Sequence, residues 1–344
     1  MQPIFDKIPW CDPLSGMPLE PIVAARTPGG VPICGALKIQ GTSFGYPIVD
    51  CVARVSSDLA RRYADWLRPF GLLPPENKQS REKEYQQEST VESFGFQWQW
   101  RGVMRTEADL KWRVAERFKI KPDLFQDKVI LDAGSGAGDQ SRWLLEHGAR
   151  VISVDLSSAI DVTARKLRMN GNWFGIQGDI ARLPLATDYF DLIYCEGVIQ
   201  HTQDSALTVE GLCQKLKPDG LILATHYGKP IRSVGRIKLK FQEFIRRRIS
   251  RLNPHTALWV CGNLAALAFV PILGFFVRKS GLAIHYALMP DFISTWTNTY
   301  DFYGLHAFQR YISSDEFWAY FDRTNRMEQV FRDGTLVVAR KMPG

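Results

Sequence analysis

Three glycines stand at alternating positions in the stretch Lys128 to Asp139, KVILDAGSGAGD: Gly134, Gly136 and Gly138. Without a Cβ, glycine lets a backbone turn sharply or lets a ligand come close. Val129, Ile130 and Leu131 run ahead of them as an unbroken apolar strand, of the kind covered on both faces. A helix is expected from about Asp139 through SRWLLEHG, its free N–H groups facing whatever sits above the strand's carboxyl end. The spacing is Gly-x-Gly-x-Gly and not Gly-x-Gly-x-x-Gly, and an acid, Asp132, precedes the first glycine. That carboxylate would attract an ammonium group and repel a pyrophosphate. The loop therefore suits a cationic ligand with an amino-acid end better than a dinucleotide; the bland alternative is a tight turn.

The elements that must hold this loop are periodic. The chain reads strand KVILDAG, helix SRWLLEHG, strand ARVISVDLS, helix SAIDVTARKLRMN, strand WFGIQGDI, strand FDLIYCEGVI, helix ALTVEGLCQKLK and strand GLILATHYG. Such alternation predicts an α/β fold with a doubly wound parallel sheet. Near the end, SSDEFWAYFDRT is a serine-capped helix, and MEQVFRDGTLVVARK is a hairpin turning at Asp333-Gly334.

The remaining sequence bounds what surrounds that sheet. At 344 residues, 45% hydrophobic and net charge +7, the chain can bury a sizeable core in one large domain with appendages or in two domains. Six cysteines in no dense pattern fit a reducing, cytoplasmic setting, and the N-terminal MQPIFDKIPWCDP lacks the basic start and apolar core of a signal peptide. Residues 1–55, rich in Pro and Gly between short apolar runs, read as a small separate β-rich domain. Its Cys11, Cys34 and Cys51 include no Cys-x-x-Cys pair, so no metal is expected. Residues 56–90 read as a helix over Ser57–Leu73, capped by Ser56 or Ser57 and ended near Gly71, followed by a charged, Gln-rich linker. Phe94, Phe96, Trp98 and Trp100 alternate in what is either a packed strand or a lid, and a helix is expected over Ala108–Lys119.

Residues 92–340 resemble the class I S-adenosylmethionine-dependent methyltransferases. VILDAGSGAG resembles their first motif, VISVDLS the next, GDIARLP the adenine-binding turn, YFDLIYCEGVIQHT the fourth strand with its substrate-side loop, and LKPDGLILATHY the fifth strand. The SFGFQW and GVIQHT segments are similar to those of bacterial enzymes of secondary-metabolite and surface-glycan pathways. The resemblance implies a Rossmann-like seven-stranded sheet within residues 91–344. It also implies S-adenosylmethionine as cofactor, S-adenosylhomocysteine as product, and a donor site at Asp132, Gly134, Ser135, Gly136, Gly138, Asp155, Leu156, Asp179, Ile180 and Glu196. In the residues themselves, Asp155 ends the second strand, where a carboxylate can accept from a ribose diol or cap the next helix. Asp179, after the third strand, can accept from an adenine amino group or simply form a turn. Glu196 would border the methionine part of the donor. The N-terminal LSGMPLE … YPIVDCVARV resembles the zinc-ribbon-like activator subunit of certain tRNA and translation-factor methyltransferases, with its cysteine pairs eroded.

A sulfonium donor is already activated, so the protein must align the acceptor, exclude water and, for an O–H or N–H acceptor, supply a base. His201 and His226 are the candidate bases, each with a plain structural alternative. Tyr227, Tyr300, Tyr303, His306 and Arg310 are the candidate acceptor wall, or an ordinary connector.

Residues 229–290 are an insertion. Residues 229–253 carry nine Lys or Arg against one acid, Glu243, while Ile237, Phe241, Phe244, Ile245, Ile249 and Leu252 share one helical face. Ala257–Val277 is apolar apart from Asn263 and long enough to span a bilayer. A single crossing would strand the final hairpin on the wrong side, and Gly262, Pro271 and Gly274 predict a broken helix pair. The insertion is therefore expected to be a cap over an apolar acceptor, or else a membrane-surface element. The favoured function is methylation of a small-molecule or lipid-linked acceptor. Rivals are a tRNA or rRNA methyltransferase, for which the greasy segment is unsuited, a non-catalytic scaffold, and a nicotinamide dehydrogenase, which the glycine spacing opposes. Oligomeric state is not legible.

Overall fold

The computed structural model describes residues 2–75, 105–230, 232–284, 291–304, 309–324 and 326–343. The aromatic run Phe94–Trp100, most of the expected linker and His306 lie outside the described residues. Two compact units emerge: residues 2–75, 106–227 and 310–343 belong to one, the described residues of 228–304 to the other.

The first unit is built on one sheet. Its strands are β1 (Leu19–Arg26), β2 (Pro32–Ile39), β3 (Gly45–Val49), β4 (Val52–Val55), β5 (Val129–Ala133), β6 (Arg150–Asp155), β7 (Trp173–Gly178), β8 (Phe190–Cys195), β9 (Leu216–Thr225), β10 (Met327–Asp333) and β11 (Leu336–Lys341). They lie in the order β1-β2-β3-β4-β7-β6-β5-β8-β9-β11-β10. Pairing is parallel from β4 through β9, whereas β1 to β4 and the closing β11 and β10 pair antiparallel. The inner strands are buried almost throughout, as their continuous apolar runs require. The final hairpin turns where the sequence places it, with Asp333 opposite Leu336 and Gly334 at φ 52°.

Helices α1 (Ser57–Arg62), α2 (Glu107–Val114), α3 (Asp139–Glu146), α4 (Ala159–Leu167) and α5 (Ser205–Lys215) belong to this unit. Between β5 and β9 the expected alternation is met element by element. The β5 strand pairs with β6 on one side and β8 on the other, so the chain order reverses there, which is where open α/β sheets hold ligands.

Three expectations are corrected. The sheet has eleven strands among the described residues: β5 to β11 are the seven expected within residues 91–344, and residues 1–55, expected as a separate domain, add β1 to β4 to the same sheet. Strand β4 adds in parallel to β7, with Arg54 opposite Gln177. The buried Arg54 guanidinium donates to the Gln177 amide oxygen at 2.7 Å and to Asp161 of α4 at 2.7 Å. Ahead of β1, Phe5 and Trp10 pack on Phe174 of β7, with ring centroids 4.8 and 5.7 Å away. An edge strand left open invites unwanted pairing, and β4 covers the edge of β7. Second, the helix expected over Ser57–Leu73 stops at Arg62 and continues as two 3-10 turns, Ala64–Trp66 and Arg68–Phe70; Pro69 has no N–H to extend it and Gly71 turns left-handed. Ser56 does cap its start, accepting from the Leu59 N–H. Third, the helix expected over Ala108–Lys119 ends at Val114, followed by a 3-10 turn at Glu116–Phe118.

The second unit contains α6 (Ser233–Ile249), α7 (Pro254–Leu267), α8 (Leu273–Ser280) and α9 (Phe292–Tyr303); α10 (Ser314–Asp322) returns to the first. Its core joins Ile249, Ala257, Leu258, Cys261, Tyr300 and Tyr303. The long apolar segment does break, between Leu267 and Leu273, and no described helix is long and apolar enough to cross a membrane.

Candidate functional site

The glycine loop is held in place by its neighbours. Both the Gly134 and Ser135 N–H groups donate to the Val154 carbonyl of β6, at 2.8 and 3.0 Å. From α4, Thr163 donates to the Gly136 carbonyl at 2.9 Å and Lys166 to that of Ala137 at 2.9 Å. Gly134 has φ +83°, and a Cβ there would lie 2.2 Å from Val198 Cγ2; at Gly138 one would lie 2.5 Å from Thr163 Cγ2. These glycines are required by both torsion and space. Between them the Ser135 hydroxyl is buried without a partner.

Asp155 ties β6 to the loop. Its Oδ2 accepts from the Gly136 N–H at 2.9 Å, and its Oδ1 accepts from the Ser157 N–H and hydroxyl at 2.8 and 2.6 Å. Oδ1 is saturated, while Oδ2 keeps a lone pair for a further donor. Burial raises the Asp155 pKa, and the bonds from Ser157 and Gly136 counter it. The Leu156 carbonyl accepts from Gln177, and Asp179 makes the bland turn, accepting from the Ala181 N–H at 2.9 Å, with Ile180 buried beside it.

Asp132 is more enclosed than expected. It ends a buried relay in which Trp173 Nε1 donates to Ser153, Ser153 contacts Ser141 at 2.7 Å, and Ser141 donates to Asp132 Oδ2 at 2.5 Å. Burial pushes this carboxyl up to about 7. Opposite it on β8, Tyr194 donates to Glu196 at 2.6 Å. Glu196 is also clamped by Arg113 at 2.7 Å and Arg117 at 2.6 Å, and Arg113 is braced by Asp109 at 2.9 Å. Burial works against the Arg113 charge, but Glu196 and Asp109 outweigh it and keep the guanidinium protonated. The sequence reading missed Arg113 and Arg117. Their signal was a pair of arginines four apart behind Asp109, a pattern that by itself reads as an exposed helix ion pair.

On the acceptor side the structure divides the candidates. His201 and Tyr227 meet edge to face, with centroids 5.4 Å apart, and Tyr311 lies 5.8 Å from Tyr227. The His226 ring packs 4.4 Å from Phe317, its Nδ1 lies 3.1 Å from the Tyr227 carbonyl, its Nε2 is buried without a partner, and burial lowers its pKa. Arg310 straps the loop after β8, donating to the Thr202 and Gln203 carbonyls and to Ser205 at 3.3 Å. Tyr300 and Tyr303 are corrected from pocket wall to core of the helical unit, Tyr303 donating to the Gly281 carbonyl at 2.6 Å. Sequence reasoning also passed over Gln200, whose buried side-chain amide has both polar atoms without a partner.

Among the described residues no group of His, Cys, Asp and Glu is poised to hold a metal ion.

Residues 131–224 match a family model described as a methyltransferase domain. The malonyl-[acyl-carrier protein] O-methyltransferase of Enterobacter lignolyticus is 32% identical over 96 residues, 28% of this chain and 38% of that protein. The ubiquinone/menaquinone biosynthesis C-methyltransferase UbiE of Vibrio parahaemolyticus is 32% identical over 109 residues, 30% of this chain and 42% of that protein. The chain thus spans about two fifths of the length of these curated relatives. Among solved structures, the 1,6-didemethyltoxoflavin-N1-methyltransferase of Burkholderia thailandensis, with S-adenosylhomocysteine bound, is 15% identical, covers 79% of this chain and 95% of its own, and superposes with a TM-score of 0.46.

Proposed function

We propose that the chain is an S-adenosylmethionine-dependent methyltransferase acting on a small-molecule or lipid-linked acceptor. The carrying observation is the buried, partnerless Ser135 hydroxyl at the crest of the glycine loop, beside an Asp155 whose Oδ2 can take one more donor. A buried hydroxyl left unpaired is costly, and a polar ligand at that point would satisfy it. The methyltransferase domain matched over residues 131–224 supports the class of reaction.

In this reading Gly134, Ser135, Gly136 and Gly138 receive the donor's amino-acid and sulfonium end, and Asp155 with Leu156 the ribose. Asp179 and Ile180 flank the adenine. Asp132, Glu196, Arg113 and Arg117 set a mixed-charge environment that suits a zwitterion. The bound donor supplies an activated methyl group, leaving S-adenosylhomocysteine. The chain's own task is to hold the partners in line, exclude water and remove a proton where the acceptor carries one. His201 is the base in this scheme, oriented by Tyr227, and the unpaired Gln200 amide is suited to a polar group of the acceptor.

Calorimetric titration tests the reading. S-adenosylmethionine and S-adenosylhomocysteine are both expected to bind the full chain, and Asp155→Ala to weaken both at least about tenfold, a loss of about 1.4 kcal/mol or more. Binding of NADH, with neither sulfur nucleoside bound, would overturn it.

A further inference from the structure

The helical unit leaves a large apolar surface bare. Along α6, Val234, Ile237, Phe241 and Phe244 recur at helical spacing, yet Val234 is 78% and Ile237 68% exposed. Only the neighbouring sector, around Gln242 and Ile249, is buried. The helical face that the sequence marks as apolar is thus split into a buried and an exposed part. In the same unit, the turn from α7 to α8 exposes Phe269, Val270, Ile272, Leu273, Phe275 and Phe276, with Ile272 at 83% and Phe276 at 61%. No polar side chain occurs from Leu264 to Val277. Ile272 holds φ +62°, with the Leu273 N–H donating to the Pro271 carbonyl at 2.7 Å, a strained turn for a β-branched residue. Exposed apolar surface on this scale marks an interaction site.

Charge says what the site meets. From residue 228 to 284 there are eleven Lys or Arg and one acid, Glu243. Arg236, Lys240 and Arg247 are exposed on the sector of α6 beside its bare apolar stripe. Arg248 lies over the Phe244 ring at 4.6 Å, and Lys279 over Phe275 at 5.3 Å. The α8 helix ends at Gly281, whose carbonyl accepts from Gln242 of α6, so the basic end of α8 adjoins α6. Aromatic side chains with cations standing over them match a membrane interface, where the rings sink and the charges stay at headgroup level. Neither a nucleic-acid contact nor a second copy of this chain calls for both features together.

We infer that the α7–α8 turn and the exposed face of α6 dock on an anionic lipid bilayer, the turn inserting and the basic flank lying on the headgroups. The inference stands independently of what the α/β unit transfers. It is tested by sedimentation of the full chain with vesicles of phosphatidylcholine, with and without phosphatidylglycerol. Tighter binding to the anionic vesicles by at least about tenfold, weakening with salt, is expected. The Phe275→Ser/Phe276→Ser double variant should lose vesicle affinity at least about tenfold, with its circular dichroism melt and S-adenosylhomocysteine binding unchanged, because both side chains are exposed. Arg236→Glu/Lys240→Glu/Arg247→Glu should lose the anionic preference. No vesicle binding, equal binding by the Phe variants, RNA binding in place of vesicle binding, or self-association that the Phe variants abolish without any vesicle binding would each overturn it.

Discussion

At the level of single residues the site is a set of buried acids whose environments differ. Asp155 is fixed by three hydrogen bonds at the end of β6, which orients its remaining lone pair. Asp132 has one strong partner, Ser141, and its carboxyl is raised from 3.8 to about 7 by burial. An acid harder to ionise in the folded than in the unfolded chain holds its proton longer when folded. Its effect is therefore absent below the unfolded pKa and becomes destabilising as pH climbs toward the folded one. At about 1.4 kcal/mol per pKa unit, the ceiling is roughly 4 kcal/mol. The melting temperature of the wild type should fall more steeply between about pH 4 and pH 7 than that of Asp132→Asn, with Asp155 contributing equally to both. Parallel melting curves across that range would show that Asp132 ionises as readily folded as unfolded.

At the level of elements, what matters is how closely β5, α3 and the loop after β8 approach each other. Gly134 and Gly16 both adopt positive φ, +83° and +74°, but a Cβ at Gly16 meets nothing within 4 Å whereas one at Gly134 meets Val198 at 2.2 Å. Gly16→Ala should therefore cost only the left-handed penalty, about 1–2 kcal/mol. Gly134→Ala adds overpacking of about 1–3 kcal/mol and should also abolish S-adenosylhomocysteine binding. Urea unfolding of the two variants separates the terms, and equal losses would mean that Val198 moves aside freely. The same closeness decides which candidates meet one another. His201 and Tyr227 meet because the loops after β8 and β9 are neighbours at one sheet edge, while His226, one residue earlier, packs on Phe317 instead.

For the whole molecule, the N-terminal strands are the decisive feature. They extend the sheet past β7 and are fastened by Arg54 to Gln177 and Asp161. A chain starting at residue 56 would expose the β7 edge and leave Phe174 without Phe5 and Trp10. Size-exclusion chromatography should find it aggregated, with no cooperative thermal transition. A monomeric, donor-binding fragment would restore residues 1–55 to the status of an independent domain.

Read alone, the sequence determined whatever depends on neighbours along the chain. Apolar runs named β5 to β9, glycine spacing with Asp132 placed the loop, and Asp333-Gly334 marked the hairpin, because strand burial and turn torsions are written locally. Tertiary structure alone decided what depends on residues far apart. Nothing near Arg54 signals that its side-chain partners Gln177 and Asp161 lie more than a hundred positions away. Nothing in Tyr303 shows that its hydroxyl meets Gly281 rather than a substrate. Residue type limits which partners a side chain can accept, but the folding of distant segments onto one another chooses among them.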